Sequence, residues 1–239
     1  MGIGLIVAIA SAVAVIVAAA GYRTQILPLL PAFLLLGIGL LGSLVAVVMS
    51  VTRLVLMTVR HQPMRAGVIL GLLVALVILA IPASVIISAQ RSSNGVPPIH
   101  DISTDTNDPP VFVDVLPLRA HALNKAEYGG PQVAAQQHTA FPDIVPLTLP
   151  VPPDDAFDRA LAAVRGLKWE IAGSNRSQGR IEATDTTFWF GFKDDIVVRL
   201  RPAEGGTRVD VRSVSRVGGG DVGTNAKRVR AYIARLKGK

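Results

Sequence analysis

A polar segment in the middle of the chain carries the side chains best suited to metal or acid–base chemistry. Residues 95 to 112, GVPPIHDISTDTNDPPVF, hold one histidine and three aspartates between two proline pairs. His100, Asp101 and Asp105 are the best ligand candidates, but in an extended chain Asp101 and Asp105 lie about 13 Å apart, so only a tight turn gathers them. Asp and Asn side chains ahead of prolines more commonly build turns. We therefore predict a polar connector without a metal, and keep a metal-dependent enzyme as the alternative.

A glycine-rich stretch ahead of the last predicted helix suggests anion binding. Residues 218 to 224, GGGDVGT, have the glycine spacing of a phosphate loop but lack its Lys and the hydroxyl residue after it. Nucleotide hydrolysis is therefore not expected, whereas free backbone N–H groups suit a phosphate or a lipid headgroup. Capping by Asp221 or Thr224 is the simpler alternative. The predicted anion or partner site comprises Arg199, Arg201, Arg212, Arg216, Gly219, Asn225 and Arg228.

The aromatic run Phe188–Phe192 is followed by several arginines, a combination that can stack nucleic-acid bases. The RNA-recognition signature needs a basic residue and a glycine before its first aromatic, and neither is present. We therefore predict no nucleic-acid partner. We expect the three phenylalanines to pack beneath the helices, with Trp189 at the rim and with the arginines of an open sheet face paired to Glu182 and Asp210.

Recognisable catalytic machinery is missing from the sequence. There is no cysteine, which excludes disulfides, thiol catalysis and thiolate metal ligands. There is no nucleophile elbow, no zinc-protease helix motif and no carboxylate pair with catalytic spacing. The sequence indicates no reaction class and no cofactor, and it favours a binding role over an enzyme.

The elements that must position these residues fall into two parts with very different charge. All 17 acidic residues lie at or beyond Asp101, whereas four arginines are the only Asp, Glu, Lys or Arg among the first 90 residues. Three apolar runs, at about 3–20, 28–51 and 66–89, each approach the roughly 20 residues that cross a membrane. We predict three transmembrane helices within a membrane domain of residues 1–91. Small residues expected to allow close helix approach are Gly37, Gly39, Gly42, Gly67 and Gly71.

The first apolar run also has the small residues of a signal-peptide cleavage site at its end. Its length exceeds the usual apolar region of a signal peptide, and no basic residue precedes it. We therefore favour a retained helix over a cleaved signal.

The arginines of the connecting loops predict the orientation of this domain in the membrane. Arg53, Arg60 and Arg65 lie in the loop between the second and third spans, and Arg23 alone lies between the first two. The positive-inside rule places the former loop in the cytoplasm. We therefore predict a multi-pass protein of the bacterial inner (cytoplasmic) membrane, with its carboxy-terminal domain outside the cytoplasm.

The remainder of the chain predicts an α+β domain. Residues 92–150 are rich in proline and polar side chains and form an extended connector that belongs to this soluble domain. Residues 151–239 begin with a helix opened by Pro152-Pro153-Asp154-Asp155 and end with a helix at about 221–237. The strands predicted between them are Trp169–Ala172, Arg180–Phe192, Ile196–Arg201 and Arg208–Ser213, with turns at Asp194-Asp195 and Glu204–Gly206. We predict a four-stranded antiparallel sheet with both helices on one face.

Four stretches of the soluble part together resemble the family called domain of unknown function 1499. They are PPIHDISTDTNDPPVF, YGGPQVAAQQHTAFPDIVPL, GRIEATDTTFWFGFKDDIVVRLRP and SRVGGGDVGTNAKRVRAY, in that order. The resemblance spans roughly residues 94 to 236. It implies an envelope or organelle-lumen location behind a few membrane helices, and it brings no established reaction or catalytic residues.

These features predict a membrane protein whose non-catalytic domain binds an envelope protein partner or an anionic lipid. A basic carboxy-terminal segment suits the lipid, since each basic residue near an anionic surface adds about 1 kcal/mol. It contains Lys227, Arg228, Arg230, Arg235, Lys237 and Lys239. A structural subunit of a larger membrane complex, docked through the glycine-bearing helices, is a further alternative.

Overall fold

The chain forms two compact units in a computed structural model that describes residues 2–93 and 95–238. The first unit runs to Ala89 and includes Phe188–Gly191. The second covers Gln90–Thr187 and the chain from Phe192 onward. The first unit consists mainly of long helices, and the second combines shorter helices with one β-sheet.

Three helices make up most of the first unit, as predicted. They are α1 Ile3–Arg23, α2 Leu29–Val59 and α3 Ala66–Ser93. Each contains a stretch long and apolar enough to cross a membrane, which for α3 is Ala66–Ser84. With 31 residues, α2 is about 46 Å long and exceeds a hydrocarbon core of about 30 Å.

Small residues allow the three helices to approach closely. A Cβ atom at Gly39 would lie 2.9 Å from the carbonyl oxygen of Ser11, and one at Gly71 would lie 3.1 Å from the Cα atom of Leu5. A cluster of fully buried alanines, one from each helix, completes this packing: Ala8, Ala46 and Ala75.

The predicted role of the glycines is confirmed for some and not for others. Gly42 lies against the side chain of Ser11, so it belongs with Gly39 and Gly71. Gly67 has only ordinary contact distance to Leu5, and a Cβ atom at Gly37 would meet nothing within 4 Å.

The second unit is built on an antiparallel sheet of six strands, so the prediction of four is wrong. The strands are β1 Asp101–Ser103, β2 Leu147–Leu149, β3 Glu170–Asn175, β4 Arg180–Thr186, β5 Lys193–Ala203 and β6 Gly206–Ser215. Their order is β1-β6-β5-β4-β3, and β2 also pairs with β6. The two additional strands have three residues each and come from the connector, which also contains the helix α4 Gly130–Ala140.

Two helices cover one face of the sheet, as predicted. They are α5 Pro153–Gly166 and α6 Thr224–Leu236. Residues that alternate along β5 and β6, such as Val198 and Val211, form a single core with Phe157 and Val229 of these helices. Asp154 and Asp155 occupy the first turn of α5, where the helix dipole favours negative charge.

Two details of the predicted strands are wrong. The strand predicted to reach Phe192 ends at Thr186 and is followed by a loop. Asp194 and Asp195, predicted to form a turn, lie inside β5 and are buried. Aspartate is rare in strands, and here arginine partners make its burial tolerable. The predicted turn at Glu204–Gly206 is confirmed, since Gly205 and Gly206 have φ values of +79° and +140°.

Candidate functional site

The sheet face opposite α5 and α6 carries most of the charged residues of the strands, and the connector covers much of it. Alternation along the strands places Glu182 and Arg199 here, on the side away from Val198. The connector folds over this face, where Phe112 packs with Val197 and Val214 of the sheet. The prediction of an open sheet face is therefore wrong.

A buried ion pair on this face joins the connector to the last strand. Arg212 donates two hydrogen bonds to the Asp101 carboxylate, at 2.9 and 2.7 Å, and 1% of the Arg212 side chain is exposed. The same guanidinium donates to the carbonyl of Ala126 and lies 5.4 Å from the centroid of the Tyr128 ring. Arg212 therefore has a complete set of partners within the domain.

A second charged cluster joins the connector to the middle of the sheet. Arg199 and Arg208 both donate to the carboxylates of Asp105 and Asp210. Asp105 also accepts hydrogen bonds from the backbone N–H groups of Asn107 and Asp108, which forms the predicted turn. Arg201 pairs with Asp108, and this hydrogen bond lowers the pKa of that carboxyl.

The two remaining arginines of the predicted site, Arg216 and Arg228, are also paired with aspartates of the sheet. Arg216 binds Asp195 through two hydrogen bonds of 2.9 and 2.8 Å. Arg228 pairs with Asp194 and Asp185, at 2.7 and 2.8 Å. The expected pairing of arginines with Asp210 and Glu182 is present, with Arg180 as the partner of Glu182.

Glu182 is a fully buried carboxylate that joins the connector to β4. It accepts hydrogen bonds from the backbone N–H groups of Val113 and Val115, at 2.8 and 3.0 Å. Burial raises its pKa, whereas those two donors oppose the shift. This carboxylate therefore organises the connector and is not exposed to a ligand.

A carboxylate of the glycine-rich loop itself binds backbone N–H groups that were predicted to bind an external anion. The Asp221 carboxylate accepts the backbone N–H groups of Gly223 and Asn225, at 2.8 and 2.6 Å, so capping by Asp221 is confirmed. Burial raises the Asp221 pKa, and these backbone donors oppose the shift. The Asn225 side chain is buried and bonded to Ser213, whereas Gly219 is exposed.

The candidate metal ligands are not brought together. Asp101 is bound by Arg212, and Asp105 is bound by Arg199 and Arg208. Across residues 2–93 and 95–238, no three His, Asp or Glu side chains are placed to hold a metal ion.

His100 instead lines a cavity with Tyr128. The cavity has a volume of about 580 Å³ and lies between the start of β1 and the segment that leads into α4. Among the residues that the structure describes, the buried Nδ1 atom of His100 and the buried hydroxyl of Tyr128 have no hydrogen-bond partner. Buried polar atoms are almost always paired in native proteins, so these two atoms make the cavity the candidate site.

Tyr128 is a neutral phenol at this cavity. Burial, and next the charge of Asp101, raise its pKa to about 12, while Arg212 opposes the shift. The hydroxyl can therefore both donate and accept a hydrogen bond throughout the physiological range. No sequence pattern pointed to Tyr128, because the cavity exists only once the connector has folded onto the sheet.

The cavity wall combines apolar and polar surface, and its charges compensate each other. Lys125 and Glu127 contribute opposite charges, and Asp101 is neutralised by Arg212. The lining also contains amide side chains and apolar residues, which are Asn124, Gln132, Gln136, Pro98, Ile99, Leu123 and Val133.

The aromatic run after β4 does not lie where it was predicted. Phe188 is 79% exposed and Trp189 is 57% exposed, so the expected packing beneath the helices is wrong for Phe188. Trp189 lies edge-on to Phe188 at a centroid distance of 5.6 Å.

In the basic carboxy-terminal segment, Arg230 pairs with Asp143. Lys239 lies outside the described residues.

The six-stranded sheet with its connector and helices corresponds to a known family. A family model described as protein of unknown function (DUF1499) matches residues 101–236. The chain therefore belongs to this family, as the resemblance predicted, and the match begins at the first residue of β1. A search of curated proteins finds none that matches the chain significantly.

Proposed function

We propose that this protein is a membrane-anchored, non-catalytic binding module whose ligand enters the cavity of His100 and Tyr128. The single observation that carries the proposal is the pair of unpartnered polar atoms at that cavity. The arginines first predicted to bind an anion are less suitable. An incoming anion would have to displace carboxylates that already hold them, such as Asp101 on Arg212.

The ligand class follows from the chemistry of the wall. A charged ligand gains little, because the lysine and glutamate at the cavity compensate each other. A hydroxyl group donates and accepts, so it satisfies the Tyr128 hydroxyl and either tautomer of His100. The side-chain amides of Gln132 and Gln136 suit further hydroxyl or amide groups. We assign the cavity to a neutral saccharide or a similar polyhydroxylated group.

The location proposed for this module is the outer side of a bacterial inner membrane. Three apolar helices support membrane anchoring, and the three arginines in the loop between α2 and α3 favour a cytoplasmic position for that loop. Because α3 crosses the membrane from that loop, the sheet domain then lies outside the cytoplasm. An envelope glycan, free or carried by a protein partner or lipid, is the kind of ligand available there.

Binding can be tested with a soluble oligomer of N-acetylglucosamine, a neutral saccharide with hydroxyl and amide groups. We expect the full-length protein in mild detergent to bind this probe in calorimetric titration. Tyr128→Phe should weaken binding about three- to tenfold, because one net hydrogen bond is lost. Absence of binding to the wild type, or equal affinity in Tyr128→Phe, would overturn the proposal.

A stability measurement separates a binding role of Tyr128 from a structural one. Tyr128→Phe should leave the free energy of unfolding unchanged or slightly raise it, because its hydroxyl has no hydrogen-bond partner within residues 2–93 and 95–238. Tyr232→Phe is the matched control, since that hydroxyl donates to the carbonyl of Ala160 at 3.2 Å. The control should lose about 1 kcal/mol of stability and retain probe binding.

A further inference from the structure

We propose that the loop between β4 and β5 is a second membrane contact, which inserts Phe188 and Trp189 into the bilayer interface. The loop runs between Thr186 and Lys193, the residues at which the two strands end and begin. It is separate from the cavity of His100 and Tyr128, and the inference does not depend on the proposed ligand.

The exposure of the Phe188 and Trp189 side chains supports this proposal. Phe188 and Trp189 are adjacent, both largely exposed, and packed edge-on to each other. A soluble surface seldom presents two such large aromatic side chains together, whereas Trp and Tyr are enriched at the membrane–water interface. Trp189 has the amphipathic ring that suits headgroup depth, and Phe188 adds apolar area beside it.

The contacts of this loop with α1 and α2 also support the proposal. Phe188–Gly191 belong to the same compact unit as the membrane helices. The ring of Phe190 stacks on Phe33 at a centroid distance of 5.7 Å, with an angle of 12° between the ring planes. The guanidinium of Arg23 donates a hydrogen bond to the carbonyl of Phe188.

The depth expected for Arg23 and Phe33 in a bilayer also supports the proposal. Arg23 is the last residue of α1, and α2 begins at Leu29, so the short link between them lies at one membrane surface. At the other end of α2, Arg53 marks the opposite boundary, because a charged side chain avoids the hydrocarbon. Counting back about 20 residues from Arg53 reaches Phe33. The loop that contacts Phe33 therefore lies at interfacial depth.

The two tryptophans of the chain provide a direct test. Trp189 is 57% exposed, whereas Trp169 is buried against Tyr232 in the core of the sheet domain. Trp169→Phe leaves Trp189 as the only tryptophan, and Trp189→Phe leaves Trp169 as the matched control. Both full-length variants are reconstituted in phosphatidylcholine vesicles that contain lipids with brominated acyl chains, which quench nearby tryptophan fluorescence.

We expect the brominated lipids to quench most of the Trp189 emission and to leave that of Trp169 almost unchanged. Bromine near the glycerol end of the acyl chain should quench Trp189 more than bromine near the methyl end. Quenching of Trp189 that is no stronger than that of Trp169 would overturn the inference. If Trp169→Phe fails to fold, the difference between wild-type and Trp189→Phe emission reports Trp189 in the same vesicles.

Discussion

Among the described residues, Arg212 has the largest side chain that is fully buried. A buried guanidinium is stable only when its donors are satisfied, and here Asp101 and two backbone carbonyls accept them. The pair joins two residues that are 111 positions apart in the chain. It therefore fixes the connector on the sheet, and with it the position of the neighbouring His100 at the cavity.

Removing one member of this pair should unfold the domain more easily. Asp101→Asn leaves Arg212 buried without a countercharge, so we expect a loss of about 3–5 kcal/mol in the free energy of unfolding. Asp143→Asn is the control, because Asp143 pairs with Arg230 at the surface and should change stability by less than about 1 kcal/mol. Urea unfolding of the full-length variants, followed by near-ultraviolet circular dichroism, measures both. Equal losses in the two variants would contradict the structural role of the buried pair.

The sheet face on which each strand residue lies was predictable, because successive side chains of a strand point to opposite faces. The pattern of β5 places Arg199 and Val198 on opposite faces, and this is what the strand pairing gives. The partner of each arginine was only partly predictable. Asp210 is two residues from Arg208 and was expected, whereas Asp101 reaches Arg212 only because the connector forms β1.

At the scale of elements, one buried side chain of α4 holds the outer edge of β1. The amide of Gln137 donates to the carbonyl of Ser103 and accepts from its N–H group, at 2.7 and 2.9 Å. It thus satisfies the outer edge of β1 as a further strand would. The local sequence predicts neither β1 nor β2, since a strand of three residues has too little alternation to detect and depends on a distant partner.

The membrane helices offer a matched pair of glycines for a packing test. Gly39→Val would drive a side chain into Ser11 and Val15 of α1, whereas Gly37→Val projects into open space. We expect Gly39→Val to separate α1 from α2 and to lower the thermal unfolding temperature in detergent, and Gly37→Val to have little effect. Disulfide trapping between cysteines introduced in α1 and α2 would report the separation directly. A similar response of both variants would argue against close packing at Gly39.

At the scale of the whole molecule, composition was the most reliable guide. The absence of acidic residues before Asp101 separates the apolar helices from the sheet domain, because charge is costly in hydrocarbon at every position. The cavity was not predictable in this way. It is formed by residues from the start of β1 and from the approach to α4, and only the folded connector brings them together.

We propose above all that the cavity of His100 and Tyr128 lies on the outer side of the membrane, away from the cytoplasm. The chain has no cysteine, so a single introduced cysteine reports its own exposure without background. Leu123→Cys places a thiol at the cavity, where Leu123 is 71% exposed, and Met64→Cys places one in the loop between α2 and α3, where Met64 is 64% exposed. A membrane-impermeant maleimide added to intact cells in which only the inner membrane seals the cytoplasm should label Leu123→Cys, and should label Met64→Cys only after that membrane is opened. Labelling of Met64→Cys but not of Leu123→Cys in the sealed cells would contradict the account.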